Sequence, residues 1–219
     1  MTNRKVFSHF AASALAIEVF LFWGGHRCNA AIIHSNAPSG GQQIVYRNLD
    51  PEFFDGARNE ELSVAEPYRE YSIGLTNLAS GNLLSKAKAE GWRYTVSRGT
   101  NIVGTAVLNA DEKTGKVLGF NSLQRPGFAQ ETLEALRKAE KLPQVDKRDY
   151  EVRFLNVPAS HFIAVWLHGE SDDILIPLPP TFGRMNAYKS YSEDQIKELL
   201  MTDAEAQVKL HESNEKNKR

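Results

Sequence analysis

The residues best suited to chemistry lie at the end of the most apolar segment of the chain, which runs from His161 to His168. The polar turn Gly169-Glu-Ser-Asp-Asp173 follows it. Imidazole and carboxylate groups together are what a metal site or a general acid–base site needs. Because His161 and His168 are an odd number of residues apart, one regular strand would point them to opposite faces. The candidate metal ligands are therefore His168, Glu170 and Asp173, and the alternative interpretation is a solvated hairpin turn.

A second candidate site is a set of aromatic and basic side chains that could contact a ligand. The loop from Pro179 to Tyr191 is long for a simple connection, and long ordered loops often carry function. It contains Arg184, Tyr188 and Tyr191, which we predict to bind a ligand together with Trp166. Aromatic side chains on strands more often belong to the core, so a core position for Trp166 is the alternative.

Other chemical motifs offer less support. Asn109, Asp111, Glu112 and Thr114 present oxygen atoms near one turn, but their spacing matches no EF-hand and ordinary turn preference explains them. The sequence has no Gly-x-Ser-x-Gly elbow, no Walker-type loop and no Gly-x-Gly-x-x-Gly fingerprint. It therefore favours a non-enzymatic domain without a cofactor, and the alternative is a metal-assisted hydrolase that uses the His168 turn.

The elements that must position these residues follow from the apolar pattern. Strands are predicted at residues 92–96, 102–108, 116–120, 150–155, 162–167 and 174–178. Leu133, Leu136 and Ala139 fall at helical spacing and predict a helix over 127–141. Short turns imply antiparallel neighbours. The prediction is an α+β fold with a β-β-β-α-β-β-β core, a sheet of about five to six strands, and helices packed on one face.

The predicted strand at 162–167 is apolar on both of its faces, which is typical of a central strand. One face carries Phe162, Ala164 and Trp166, and the other carries Ile163, Val165 and Leu167. The second face must be covered either by other segments of the chain or by a second copy. A homodimer is therefore one of the two arrangements that the sequence allows.

Flanking helices are predicted on both sides of this core. Asp50 followed by Pro51 is a good helix start, and a longer helix is predicted over Pro67–Glu90 with a break near Gly74 or Gly81. Near the C-terminus, Ser192-Glu-Asp-Gln195 has the spacing of a capping box and predicts an amphipathic helix after it.

The first 30 residues have the pattern of an export signal. Arg4 and Lys5 form a positive start, Ala11–Trp23 is mostly apolar, and Cys28-Asn29-Ala30 is an acceptable cleavage site before Ala31. The apolar run is shorter than the ~20 residues of a spanning helix. We predict a cleaved signal peptide over 1–30 and a periplasmic or secreted protein without stable membrane insertion. An inner-membrane anchor and a cytoplasmic location are the alternatives.

The rest of the chain divides into a flexible lead-in at 31–48, a single α+β domain at 49–211 and a polar tail at 212–219. Cys28 is the one cysteine and lies within the predicted signal, so the mature chain would have no disulfide. A net charge of -1 gives no electrostatic case for a nucleic-acid partner. The predicted partner is an unidentified protein or small ligand.

Two resemblances support an exported binding module. The run from Val107 to Leu118, with its Asp-Glu-Lys-Thr-Gly turn, is similar to the closing hairpin of PepSY-type domains, small exported modules that bind or inhibit. The wider layout includes Gly91-Trp-Arg-Tyr, Ala164-Val-Trp-Leu and Ile176-Pro-Leu, and it resembles a bacterial family of unknown function. Neither resemblance implies catalytic residues.

Overall fold

The computed structural model of the 219-residue chain describes residues 31–81, 83–181 and 183–201. The predicted signal peptide (1–30) and polar tail (212–219) lie outside this part of the chain. Within it, no helix combines the length and the apolar character needed to cross a membrane.

In the described residues, nine strands form one mixed sheet. The strands are β1 (Ile32–His34), β2 (Leu62–Val64), β3 (Tyr68–Ser72), β4 (Lys88–Arg98), β5 (Asn101–Ala110), β6 (Val117–Gln124), β7 (Tyr150–Val157), β8 (Phe162–His168) and β9 (Asp173–Pro177). The order is β6-β5-β4-β3-β7-β8-β9, with β1 beside β7 and β2 beside β4. β1 and β3 run parallel to β7, and the other pairs are antiparallel.

The α+β prediction is confirmed. All six predicted strands are present as β4 to β9, and the predicted helix between them is α3 (Gly127–Ala139). The sheet is larger than the predicted five to six strands because β1, β2 and β3 also join it. These three strands have only three to five residues each, too few for alternation to stand out in the sequence.

The helix predicted over Pro67–Glu90 is wrong. This segment contains β3, the five-residue helix α2 (Leu75–Ala79) and the start of β4. β3 lies between two neighbours, with Arg69 opposite Trp92 on β4 and opposite Arg153 on β7. The apolar side chains of this segment, which suggested a helix, are buried by its packing on the sheet, and β3 is held by main-chain hydrogen bonds to two strands.

Two further predictions near the start of the domain need correction. The segment 31–48, predicted as a flexible lead-in, contributes β1 and the helix α1 (Gly41–Arg47), whose Val45 is fully buried against β4 and β5. The short helix predicted from Asp50 is instead a turn. In it the Asp50 carboxylate accepts the Glu52 main-chain N–H at 2.9 Å.

Helices cover both faces of the sheet, whereas one face was predicted. On one face, here called the α3 face, α3 packs against Val152 and Phe154 of β7. The opposite face carries α1, α2 and a fourth helix, α4, which begins at residue 193 and includes 201, the last residue described. The predicted capping box starts α4. The Ser192 hydroxyl accepts the Gln195 main-chain N–H at 3.3 Å, and the Gln195 side chain accepts the Ser192 N–H at 3.0 Å.

β8 is a central strand, as its two apolar faces predict. Val165 and Leu167 pack under α3, while Ala164 and Trp166 pack in the cluster that holds Ile196 and Leu200 of α4. Both faces are therefore covered by segments of the same chain, and this strand needs no second copy to be buried.

Candidate functional site

Two adjoining cavities flank the N-terminal end of α3, with volumes of about 570 Å³ and 580 Å³. Phe128, Pro179 and Pro180 line both and form the ridge between them. The first cavity is also lined by Gln124, Arg125, Gly127 and Glu131, and the second by Asn156, Pro158, His161, Ile163 and Leu178. We call this pair of cavities the α3 groove.

Local sequence chemistry explains how the groove is built. Pro126 stands just before α3 and suits a helix start, because a helix leaves its first N–H groups without an internal acceptor. Pro179 and Pro180 follow β9 and cannot donate main-chain hydrogen bonds, so the sheet does not continue across the groove. A turn at Pro158–Ser160 joins β7 to β8 and forms the far wall.

His161 ends that turn in the left-handed region, with a φ of 47°. A residue other than glycine rarely adopts this conformation, and it costs on the order of 1 kcal/mol. β8 begins one residue later, at Phe162, where the predicted strand also begins. His161 and His168 therefore lie at opposite ends of β8, roughly 20 Å apart at the usual rise per residue, and cannot bind one ion.

A buried ion pair supports the floor of the first cavity. On the α3 face, the Arg93 guanidinium donates to the two carboxylate oxygens of Glu70 at 2.9 and 3.1 Å, and each side chain is 9% exposed. Arg93 also lies over the Phe154 ring at 4.5 Å and donates to Gln124 Oε1 at 2.5 Å. Because Arg93 can only donate, it holds the Gln124 amide with its oxygen inward. The NH₂ group of Gln124 is then the end that can donate to a ligand in the groove.

The groove combines apolar walls with a few polar groups. Arg125 and Glu131 lie at the first cavity, and Asn156 and His161 lie at the second. The Arg125 guanidinium is placed by the loop before β2, where it stacks on the Phe53 ring at 4.9 Å and donates to the Phe53 carbonyl at 3.3 Å. This composition is typical of small-molecule sites, in which apolar surface supplies affinity and a few polar groups fix orientation.

At the predicted metal site, the structure brings together two of the three residues. His168 Nδ1 lies 2.7 Å from Asp173 Oδ1, which also accepts the Trp166 indole N–H at 2.6 Å. Glu170 instead lines a different cavity with Arg148, Asp149 and Ser171. Among the described residues, no three His, Cys, Asp or Glu side chains are close enough to hold a metal ion. The Asp173 carboxylate can fix the orientation of the imidazole, whose side chain is 39% exposed.

A second polar cluster lies across the strand from His168. Glu151 accepts hydrogen bonds from the Ser35 hydroxyl and from Arg153 Nε at 3.0 Å, and Arg153 is sandwiched between the rings of Tyr71 and Trp166 at 5.0 and 4.8 Å. Burial alone would raise the pKa of Glu151, but the hydrogen bonds from Ser35 and Arg153 and the nearby cations outweigh it, and the pKa is lowered. This cluster ties β1, β7 and β8 together.

The four residues of the predicted ligand site do not form one site. Trp166 and Tyr191 are buried in the same apolar cluster as Ile196 and Leu200 of α4. The Tyr191 main chain pairs with Leu175 of β9. Tyr188 packs on the other side of the sheet, where the Lys138 ammonium lies 4.1 Å from its ring centre. Arg184 is exposed in the connecting loop. The loop from Pro179 to Tyr191 instead covers the free edge of β9 by main-chain pairing at Tyr191. The residue types of the loop alone did not indicate this role.

The oxygen-rich turn after β5 is occupied by a side-chain cation. Arg69 donates to the main-chain carbonyls of Asp111 and Gly115 at 3.1 and 3.4 Å, while its guanidinium lies over the Trp92 ring at 4.7 Å. The Asp111 carboxylate accepts the Thr114 N–H at 2.8 Å. The two main-chain carbonyls and the Asp111 carboxylate of this turn therefore already have hydrogen-bond partners within the fold.

Sequence reasoning did not find the α3 groove. Its walls come from residues 124–131, 156–163 and 178–180, and no pattern within one segment reveals that they meet. The available signals were the Pro-Pro pair after the last strand and the Gln124-Arg125-Pro126 run before the helix. Comparison of the chain with family models, with curated proteins and with solved structures gives no match.

Proposed function

We propose that the protein is an exported, non-enzymatic binding domain that takes a small amphiphilic molecule in the α3 groove. The observation that carries this proposal is the pair of adjoining cavities at the start of α3, each of about 570–580 Å³. Cavities between ~300 and 1,000 Å³ with mainly apolar walls are the usual size and character of small-molecule sites.

The arrangement of the polar groups supports an amphiphilic ligand. The apolar ridge of Phe128, Pro179 and Pro180 lies in the middle, where an apolar body would be buried. At one side, Arg125 can pair with a negatively charged end of a ligand and Glu131 with a positively charged one, and Asn156 and His161 are polar residues that line the other side. The Gln124 NH₂ group adds a donor whose orientation Arg93 already fixes, so less rotamer freedom is lost on binding.

The proposal of export comes from the sequence. It depends on the positive start at Arg4 and Lys5, the apolar run Ala11–Trp23 and the small-residue site before Ala31, all of which precede the described residues. The metal-assisted hydrolase is not carried forward, because His168 and Asp173 lack a third ligand in the part of the chain that the structure describes.

Filling the first cavity tests the binding site. Gly127 lines it, and a Cβ added there would meet no atom within 4 Å, so the start of a larger side chain fits at this position. Gly127→Trp is the substitution expected to place a ring in the cavity. The matched control is Gly119→Trp on β6, where a Cβ also meets open space and the nearest groove residue in sequence, Gln124, is five residues away along the strand. The probe is the amphiphilic dye 1-anilinonaphthalene-8-sulfonate, followed by fluorescence titration.

We expect the wild-type protein and Gly119→Trp to bind the dye alike, and Gly127→Trp to bind at least about tenfold more weakly, as expected when a bulky ring displaces the ligand. Equal binding by all three proteins would place the dye outside the groove and contradict the proposal. Thermal unfolding of each variant shows whether a loss of binding reflects a loss of folding.

A further inference from the structure

We propose that Asp149 binds the α-ammonium group of Ala31 after the signal peptide is removed, so that processing itself strengthens the attachment of the start of the mature chain to the sheet. This inference rests on the proposed export and cleavage. It assigns a role to Asp149 and a partner to the new N-terminus.

The geometry places a carboxylate at the nitrogen in question. The Ala31 main-chain nitrogen lies 2.7 Å from Asp149 Oδ1. The Ala31 carbonyl accepts the Tyr150 N–H at 3.0 Å, and the parallel pairing of β1 with β7 continues from Ile32 opposite Tyr150. Ala31 is therefore held on both its nitrogen and its oxygen at the point where the sheet begins.

The sequence predicts cleavage at the same nitrogen. Cys28-Asn29-Ala30 is the small-residue site of the signal, which places the scissile bond between Ala30 and Ala31. An export-pathway peptidase would break this C–N bond with one water molecule, leaving a carboxylate on Ala30 and an amine on Ala31. At neutral pH most of this amine takes up a proton.

Cleavage changes the chemistry of the contact without needing to move the atoms. In the precursor, a neutral amide donates one hydrogen bond to Asp149. In the processed chain, an ammonium group with a full positive charge faces the same carboxylate, and charge-assisted hydrogen bonds are stronger than neutral ones. Arg148, the adjacent cation, is already paired with Asp172 at 2.8 Å, so the ammonium brings Asp149 a new positive partner.

Cleavage therefore turns an existing neutral hydrogen bond of β1 into a charged contact, which holds β1 more strongly in the mature chain than in the precursor. The Asp149 side chain is exposed, so water and salt screen the pair and its effect is modest. A modest effect is still measurable at the amine itself, because an aldehyde reagent reacts only with the unprotonated form and a nearby carboxylate favours the protonated one.

The experiment uses the protein processed by an exporting bacterium that expresses the full-length chain. Fractionation and intact mass establish the compartment and the first residue. The rate of N-terminal labelling by 2-pyridinecarboxaldehyde at pH 7 is then compared between wild type, Asp149→Asn and Asp146→Asn. Asparagine keeps an acceptor at position 149 but removes the charge, and Asp146→Asn removes the same charge from the same loop.

We expect a mature start at Ala31, and labelling that is about twofold to fivefold faster in Asp149→Asn than in wild type and Asp146→Asn. A mature start at Ala31 with equal rates in all three proteins would overturn this inference and leave export standing. Export with a different first residue would overturn it as well. An unprocessed chain in the cytoplasm would overturn both this inference and the proposed export.

Discussion

Gly41 lies where the structure leaves no room for a side chain. A Cβ at this position would lie 2.0 Å from the Tyr94 hydroxyl oxygen, well inside any contact distance. That hydroxyl is buried without a hydrogen-bond partner among the described residues, and burial raises its pKa to about 12. We expect Gly41→Ala to lower the free energy of unfolding by about 1–3 kcal/mol, the usual effect of overpacking, as measured by urea denaturation.

A double variant shows whether the clash with Tyr94 is the cause. Tyr94→Phe removes the hydroxyl and breaks no hydrogen bond to a described residue, so by itself it should change stability by less than about 1 kcal/mol. Combined with Gly41→Ala, it should restore part of the loss, because the added Cβ still lies 3.0 Å from Tyr94 Cζ and 3.2 Å from Pro38 Cγ. Gly127→Ala is the matched control, because it also changes the first residue of a helix but meets open space. Equal effects of the two glycine substitutions would contradict this account.

At the scale of elements, Glu151 links β1 to β7 and should make their packing sensitive to acid. Its pKa is lowered in the folded protein, since the hydrogen bonds from Ser35 and Arg153 outweigh burial. A carboxylate with a lowered pKa adds stability above its unfolded pKa of about 4.3, and that stability is lost as the pH falls through the folded pKa. The sensitive window therefore lies below about pH 4.5.

We expect Glu151→Gln to cost about 1–2 kcal/mol of unfolding free energy at pH 7, the usual cost of losing a charged hydrogen bond. This difference from wild type should shrink steadily as urea denaturation is repeated from pH 5 down to pH 3. Glu112→Gln, in an exposed turn, is the control and should show little difference at any pH. A cost for Glu151→Gln that stays constant with pH would contradict the role given to its charge.

The elements also show how far the sequence could predict the structure. β8 and α3 were predictable because an apolar run of strand length and a helical stripe each specify one element locally. β3 was not, because its strand form comes from pairing with β4 and β7, which lie far along the chain. The α3 groove and the contact between Ala31 and Asp149 were hidden for the same reason, since each joins segments distant in sequence.

At the scale of the whole molecule, segments of the same chain cover the faces of the sheet and protect its two edges. α3 and α4 cover the two faces of β8. At the β9 edge, the Leu175 and Tyr191 main chains exchange hydrogen bonds of 2.8 and 2.9 Å. At the other edge, the register of β6 with β5 skips Leu118 and Asn121. Such bulges twist an edge strand away from further pairing.

We therefore expect the purified protein to be a monomer, although the sequence left a homodimer open. The chain itself supplies the cover that a second copy would have provided for β8, and Leu118 on the bulged edge is 69% exposed as a single apolar side chain, which is normal for a monomer. Size-exclusion chromatography with light scattering should give the mass of one chain for wild type and for Leu118→Lys, which adds a charge to this edge. A dimer mass that persists on dilution in wild type would contradict this expectation, and its loss in Leu118→Lys would place the interface on β6.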